Sequence, residues 1–230
     1  DTNNMLDANG LLEQIIRTQG NDGGYYAAWD KKKPTHYSCV NFVVKTMLEV
    51  LTEEYKLAQT SDSWKERYNK GMASVDKALL DLVIRKDNLG TEGQMSFDDG
   101  MIACSSAQLA LAALRTTDSK LKEKYLAVSL ELYNQHSCMT QQNIPDARMN
   151  GATLRFWESQ FTINLMNNMM NSPCGWSAWK IYGTYYLYLL TGEKKFLYET
   201  MNALGACSQL INLKTGFSSL LTIICYRDQT

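Results

Sequence analysis

The chain has 230 residues, 45% of them hydrophobic, and a formal net charge of −1 with a sequence pI of about 6.2. That is enough apolar material for a single domain over 1–230 with one sizeable core, and with no basic excess to neutralise phosphates, nucleic acid is not an expected partner. No Lys/Arg block suits an anionic membrane surface, and no apolar run reaches the roughly 20 residues that a membrane span needs.

The polar start, Asp1-Thr2-Asn3-Asn4, lacks a Met and reads as a trimmed or mature chain. A removed export signal would place the protein in a periplasm or outside the cell; without one it is cytoplasmic. Beyond this start, apolar residues recur at helical spacing along most of the chain. The first helix is predicted from about Leu6 to Thr18, with Leu11, Leu12, Ile15 and Ile16 on one face, stopping at Gly20 before the Gly23-Gly24 turn. A second runs from about Tyr37 to Leu57. A third starts near Asp62, a plausible N-cap, and ends near Arg85 with Met72, Val75, Leu79, Leu82 and Val83 on its apolar face.

After the Asp87–Gly93 loop, a helix rich in alanine and serine opens near Asp98-Asp99, and its partner runs from about Ser119 to Gln135. Between Met139 and Pro173 the pattern changes. Pro145 and Gly151 interrupt the chain, and a β-like insert near 152–162 is rich in strand formers. The last hairpin pairs Trp176–Leu190 with Glu193–Ile211, and the tail from Gly216 is apolar and β-like. The six cysteines form no CxxC pair and only two histidines are present, so neither a zinc site nor another metal is expected and the thiols read as mostly reduced. With neither a phosphate-binding glycine loop nor a dinucleotide fingerprint, no cofactor is expected either.

Three helices end alike: Ala58-Gln59-Thr60-Ser61-Asp62, Leu114-Arg115-Thr116-Thr117-Asp118 and Leu189-Leu190-Thr191-Gly192-Glu193. Each is followed by a charged turn and a second helix, with hydroxyl or carboxylate side chains suited to capping it. Such a repeat means antiparallel helix hairpins, and its irregular spacing with a large insert favours a ring over a regular solenoid. The stretch from Tyr186 to Leu197 resembles the hairpin turns of six-hairpin, (α/α)6-toroid glycosidases. Phe97-Asp98-Asp99-Gly100-Met101 is similar to the helix-opening aromatic-x-Asp-Gly segment of unsaturated glucuronyl and rhamnogalacturonyl hydrolases. The resemblance implies an all-α fold of antiparallel helix hairpins, a general acid/base at Asp99 and an oligosaccharide or polysaccharide substrate. A full toroid has twelve helices and this pattern supplies about seven. A partial or incomplete toroid is therefore expected: a fragment, an open ring, or one that a second copy completes.

Glycoside hydrolysis needs carboxyl groups across a cleft, and sugars stack their C–H faces on aromatic rings. Asp98 and Asp99 raise each other's pKa as neighbours, which suits an acid, although one of them can simply cap the helix. Glu158 is the further candidate carboxylate and Trp157 beside it a candidate for substrate stacking, with buried packing of the insert as the alternative. Arg148 can hold a uronate carboxylate, or pair internally with Asp146. Trp176 shares a helical face with Trp179, and its side chain suits either the core or a cleft. Tyr25 and Trp29, after the glycine turn, suit stacking on a ligand, and His36 completes the substrate-binding set. The alternative chemistry on the same fold is a polysaccharide lyase, with a Tyr or His as base, His36 or His136 being the histidine candidates, and Arg148 neutralising the uronate. The third reading is a non-catalytic helical binding domain.

Overall fold

The computed structural model describes residues 2–26, 40–86, 99–142, 150–153, 177–209, 211 and 213–214. Within them the chain forms helices α1 (Thr2–Arg17), α2 (Val40–Ala58), α3 (Asp62–Arg85), α4 (Asp99–Arg115), α5 (Ser119–His136), α6 (Ser177–Thr191) and α7 (Lys194–Ser208), with a single 3-10 turn at Ser137–Met139. This is the expected fold class, all-α and built from antiparallel helix hairpins of the toroid kind. Of the β-like insert, only Ala152 and Thr153 are described; the β-like tail lies outside the described residues. Close packing divides the chain into two compact units, residues 1–96 and 97–230.

In the first unit α2 and α3 form a hairpin joined by the short turn Gln59–Ser61, and α1 packs against both. Periodicity explains the pairing: Val44, Met47, Leu48 and Leu51 of α2 face Val75, Ala78, Leu79 and Leu82 of α3, all buried. Burying each of the Val, Leu and Met side chains contributes roughly 1.5–3 kcal/mol. Gly71 lets the two helices approach, because a Cβ there would collide with Leu51 Cδ2. Helix α1 begins at Thr2, ahead of the predicted start near Leu6, since the exposed Asn3 and Asn4 need no core partner. Helix α3 starts at Asp62, but Ser61 is the N-cap residue, and its side chain makes no capping bond.

The second unit is two hairpins, α4–α5 and α6–α7, with α6 packed along α4. Helix α4 is buried without a break from Ile102 to Ala113. Its Ala and Ser side chains make this feasible, since small residues leave room for a helix on either side. On the α5 side, Ser106 Oγ donates to Ser129 O (2.9 Å) and Ser129 Oγ to Ser106 O (2.8 Å), so each buried hydroxyl satisfies a backbone carbonyl across the pair. On the α6 side, Gly183 faces Ala107: a Cβ on the glycine would stand 3.5 Å from that of the alanine. Helix α6 closes on α7 through the buried cluster Ala110, Leu187 and Phe196, and through a 2.8 Å hydroxyl pair between Thr184 and Thr200.

The short turns have legible causes. Asp118 caps α5, its carboxylate accepting from Lys120 N (2.8 Å) and Leu121 N (3.1 Å). Gly192 takes φ +71° and donates to Tyr188 O (2.8 Å), the left-handed stop that ends α6 and admits the antiparallel return. Cys104, Cys138 and Cys207 are thiols rather than disulfides. Among the described residues no helix is long and apolar enough to cross a membrane.

Candidate active site at the loop end of the second unit

Connectivity gives the second unit two unlike ends. The brief turns 116–118 and 192–193 lie at one. At the other lie the start of α4, the end of α5, the start of α6 and the end of α7. Asp99 is the first residue of α4 and so belongs to this loop end. The chain also leaves it for segments 143–149 and 154–176, which carry Asp146, Arg148, Trp157, Glu158 and Trp176. Those five residues, with Asp98, lie outside the described residues, as do Trp29 and His36 of the first unit.

The base of segment 143–149 is well defined. Thr140 and Thr153 form an antiparallel bridge; Gln141 N donates to Ala152 O (2.8 Å) and Gly151 N to Gln141 O (2.9 Å). Gly151 has φ +86°, and a Cβ there would stand 2.5 Å from Ala203 N and 2.6 Å from the Asn202 carbonyl carbon of α7. Only glycine lets the bridge lie so close to that helix.

Beneath the bridge is a buried polar network. Lys180 of α6, 4% exposed, donates from Nζ to Thr140 Oγ1 (2.8 Å) and pairs with Glu199 Oε2 of α7 (3.1 Å). Tyr133 of α5 donates its hydroxyl to Glu199 Oε1. His136, 2% exposed, borders the same place, and its Nε2 has no hydrogen-bond partner. Ala103, Ser106, Tyr133, His136, Lys180, Gly183 and Thr184 line a hollow of about 10 Å³, room for a single water. Burial, with the Lys180 charge beside it, pushes the His136 imidazole down to about 3, so it is neutral near pH 7. Burial also lowers the Lys180 ammonium, which Glu199 opposes, and raises the Tyr133 hydroxyl, with Glu199 adding to the rise.

Two sequence expectations change here. His136 is one of two candidate bases for elimination, but it is only 2% exposed and too weakly basic to hold a proton near pH 7. Tyr25 is expected to offer its ring to a ligand, but it is 1% exposed. The turn after α1 folds back onto α3: Tyr25 OH meets Ser74 Oγ at 2.8 Å, and Gln19 Nε2 donates to Ser74 O (2.8 Å) and Gly23 O (2.9 Å). Burial pushes the Tyr25 hydroxyl up to about 12. Its neighbour Tyr26 is also buried, and donates to Asp22, which lies 3.4 Å from Arg85. The network of Lys180, Glu199 and Tyr133 escapes sequence reading. Its one visible trace is a lysine and a glutamate within otherwise apolar helical patterns.

Among the described residues no three His, Cys, Asp or Glu side chains gather as a metal site. No protein family matches the chain, and no curated protein does. A solved structure titled a polysaccharide lyase is similar in fold, with a TM-score of 0.50 and 14% identity over 92% of this chain. The chain spans about a third of that protein's length (35%), and the likeness is one of helix-hairpin architecture.

Proposed function

We propose that the chain is part of a carbohydrate-active enzyme that breaks glycosidic bonds in a uronate-containing polysaccharide, with the loop end of the second unit as its substrate face. The fold likeness to a polysaccharide lyase carries this reading, and the springing of segments 143–149 and 154–176 from the end that Asp99 opens supports it. The fold likeness favours elimination. In that reaction a base removes the proton beside the uronate carboxyl, the bond to the leaving sugar oxygen breaks, and a carbon–carbon double bond forms. Arg148 is the proposed cation that neutralises the uronate and so acidifies that proton. Trp157 and Trp176 would supply flat faces for sugar rings, and Asp146 would orient Arg148.

Hydrolysis is the second reading, favoured by Asp99 standing at the first residue of α4 on the loop end. Asp99 would then be the acid/base, with Asp98 or Glu158 as the other carboxyl group. The products separate the two chemistries. The protein is incubated with uronate-containing and neutral polysaccharides while reducing ends and ultraviolet absorbance are followed together. New reducing ends with an absorbing unsaturated uronate establish elimination, which Arg148→Ala should abolish. New reducing ends without absorbance establish hydrolysis, which Asp99→Asn should abolish. Neither product, together with no binding to the same polymers, refutes the carbohydrate reading.

A further inference from the structure

Lys180 poses a problem that stability alone does not answer. An ammonium 4% exposed inside a helical layer is costly to take out of water, and an apolar side chain of similar length would fill the same space without that cost. What the charge makes is a chain of polar contacts through four elements in series. Tyr133 of α5 donates to Glu199 of α7, Glu199 pairs with Lys180 of α6 at 3.1 Å, and Lys180 donates to Thr140 at 2.8 Å. Thr140 is the first half of the bridge to Thr153, and the paired bonds of Gln141 with Ala152 and Gly151 close the chain just outside segment 143–149.

From this geometry we infer that Lys180 is a positioning residue: it clamps the Thr140–Thr153 bridge to the helices and so fixes the base of the segment that carries Asp146 and Arg148. The inference rests on the proposed role of Arg148 for its consequence in activity, but the clamp itself is a statement about the bridge and is tested without substrate. The bridge is two residues wide and has no neighbouring strand among the described residues. Beneath it lie two of its supports: Gly151 against α7 on one side and the Lys180–Thr140 bond on the other.

Hydrogen exchange of single amides, followed by NMR on the whole chain, decides it. Thr140→Val removes the hydroxyl acceptor while keeping the shape of the side chain and the Lys180–Glu199 pair. Exchange at the Gln141 and Gly151 amides should rise roughly tenfold to a hundredfold, as expected for one lost bond to a charged donor, while amides in the middle of α4 keep their protection. Thr140→Ser restores the acceptor and should restore slow exchange. Lys180→Met should reproduce Thr140→Val; if it fails to fold, the Thr140 pair still decides. Exchange at Gln141 and Gly151 within about twofold of wild type in Thr140→Val, or equally fast exchange in Thr140→Ser, overturns the clamp. Once a cleaved polymer is known, Thr140→Val should raise KM more than it lowers kcat. A chain that cleaves no polymer removes the proposed function and leaves the exchange result standing.

Discussion

Acidification should unload the fold through His136. In the folded chain its imidazole is held near 3 by burial and by the Lys180 charge; in an unfolded chain it titrates near 6.5. A base whose folded pKa is depressed stays neutral while the unfolded chain takes up the proton. Its contribution is therefore fully present above about pH 6.5, lost as pH falls, and level again below about pH 3. Between about pH 7 and about pH 5 the loss comes to ~2 kcal/mol, most of the limiting slope of 1.36 kcal/mol per pH unit. Urea unfolding followed by far-ultraviolet circular dichroism at both pH values measures it, with His136→Leu as the reference for all other titrating groups. Wild type should lose ~2 kcal/mol more than the variant over that interval. Slopes that agree within about 0.5 kcal/mol would refute the buried, neutral imidazole. So would a folded-state imidazole that titrates by NMR above about pH 5.

Three glycine and capping changes test the packing. Gly10 lies inside α1 with open space where a Cβ would stand, so Gly10→Ala should stabilise the first unit by roughly 0.5–1 kcal/mol in urea unfolding. Gly71→Ala should do the reverse and cost roughly 1–3 kcal/mol, because the new methyl meets buried Leu51; equal effects at the two sites would show that α2 and α3 do not approach as closely as described. Asp118→Ala removes two capping bonds from the start of α5 and should cost about 1 kcal/mol, while Asp118→Asn or Asp118→Ser should retain most of it.

Much of the fold is legible because helical periodicity and capping residues are local signals. The α3, α4 and α5 starts at Asp62, Asp99 and Ser119 agree with the sequence reading, and the three alike turns at 58–62, 114–118 and 189–193 each end one helix and begin another. Boundaries fail where no side chain marks them: α1 gains an exposed polar turn, and α7 ends at Ser208 rather than Ile211. The site is less legible because burial is a tertiary fact. Tyr25 follows two glycines and looks like a loop residue, yet Ser74, forty-nine positions on, draws its hydroxyl inward. His136 looks like one of two scarce bases, and only the meeting of α5 with α6 turns it into a buried neutral ring. Lys180 and Glu199 each read as ordinary helix residues until the α6–α7 hairpin brings their charges to 3.1 Å.

The unlike ends of the second unit also matter for handling the protein. Thr116, Asp118 and Glu193 are exposed or half-buried in turns that lie opposite Asp99, and Gly192 has open space around its α-carbon. A fluorophore, a cysteine tether or a short affinity tag attached there would sit a full helix length, roughly 25 Å, from the proposed substrate face of that unit. Immobilisation through those turns keeps the anchor away from the proposed face, where an anchor at the other end would sit directly.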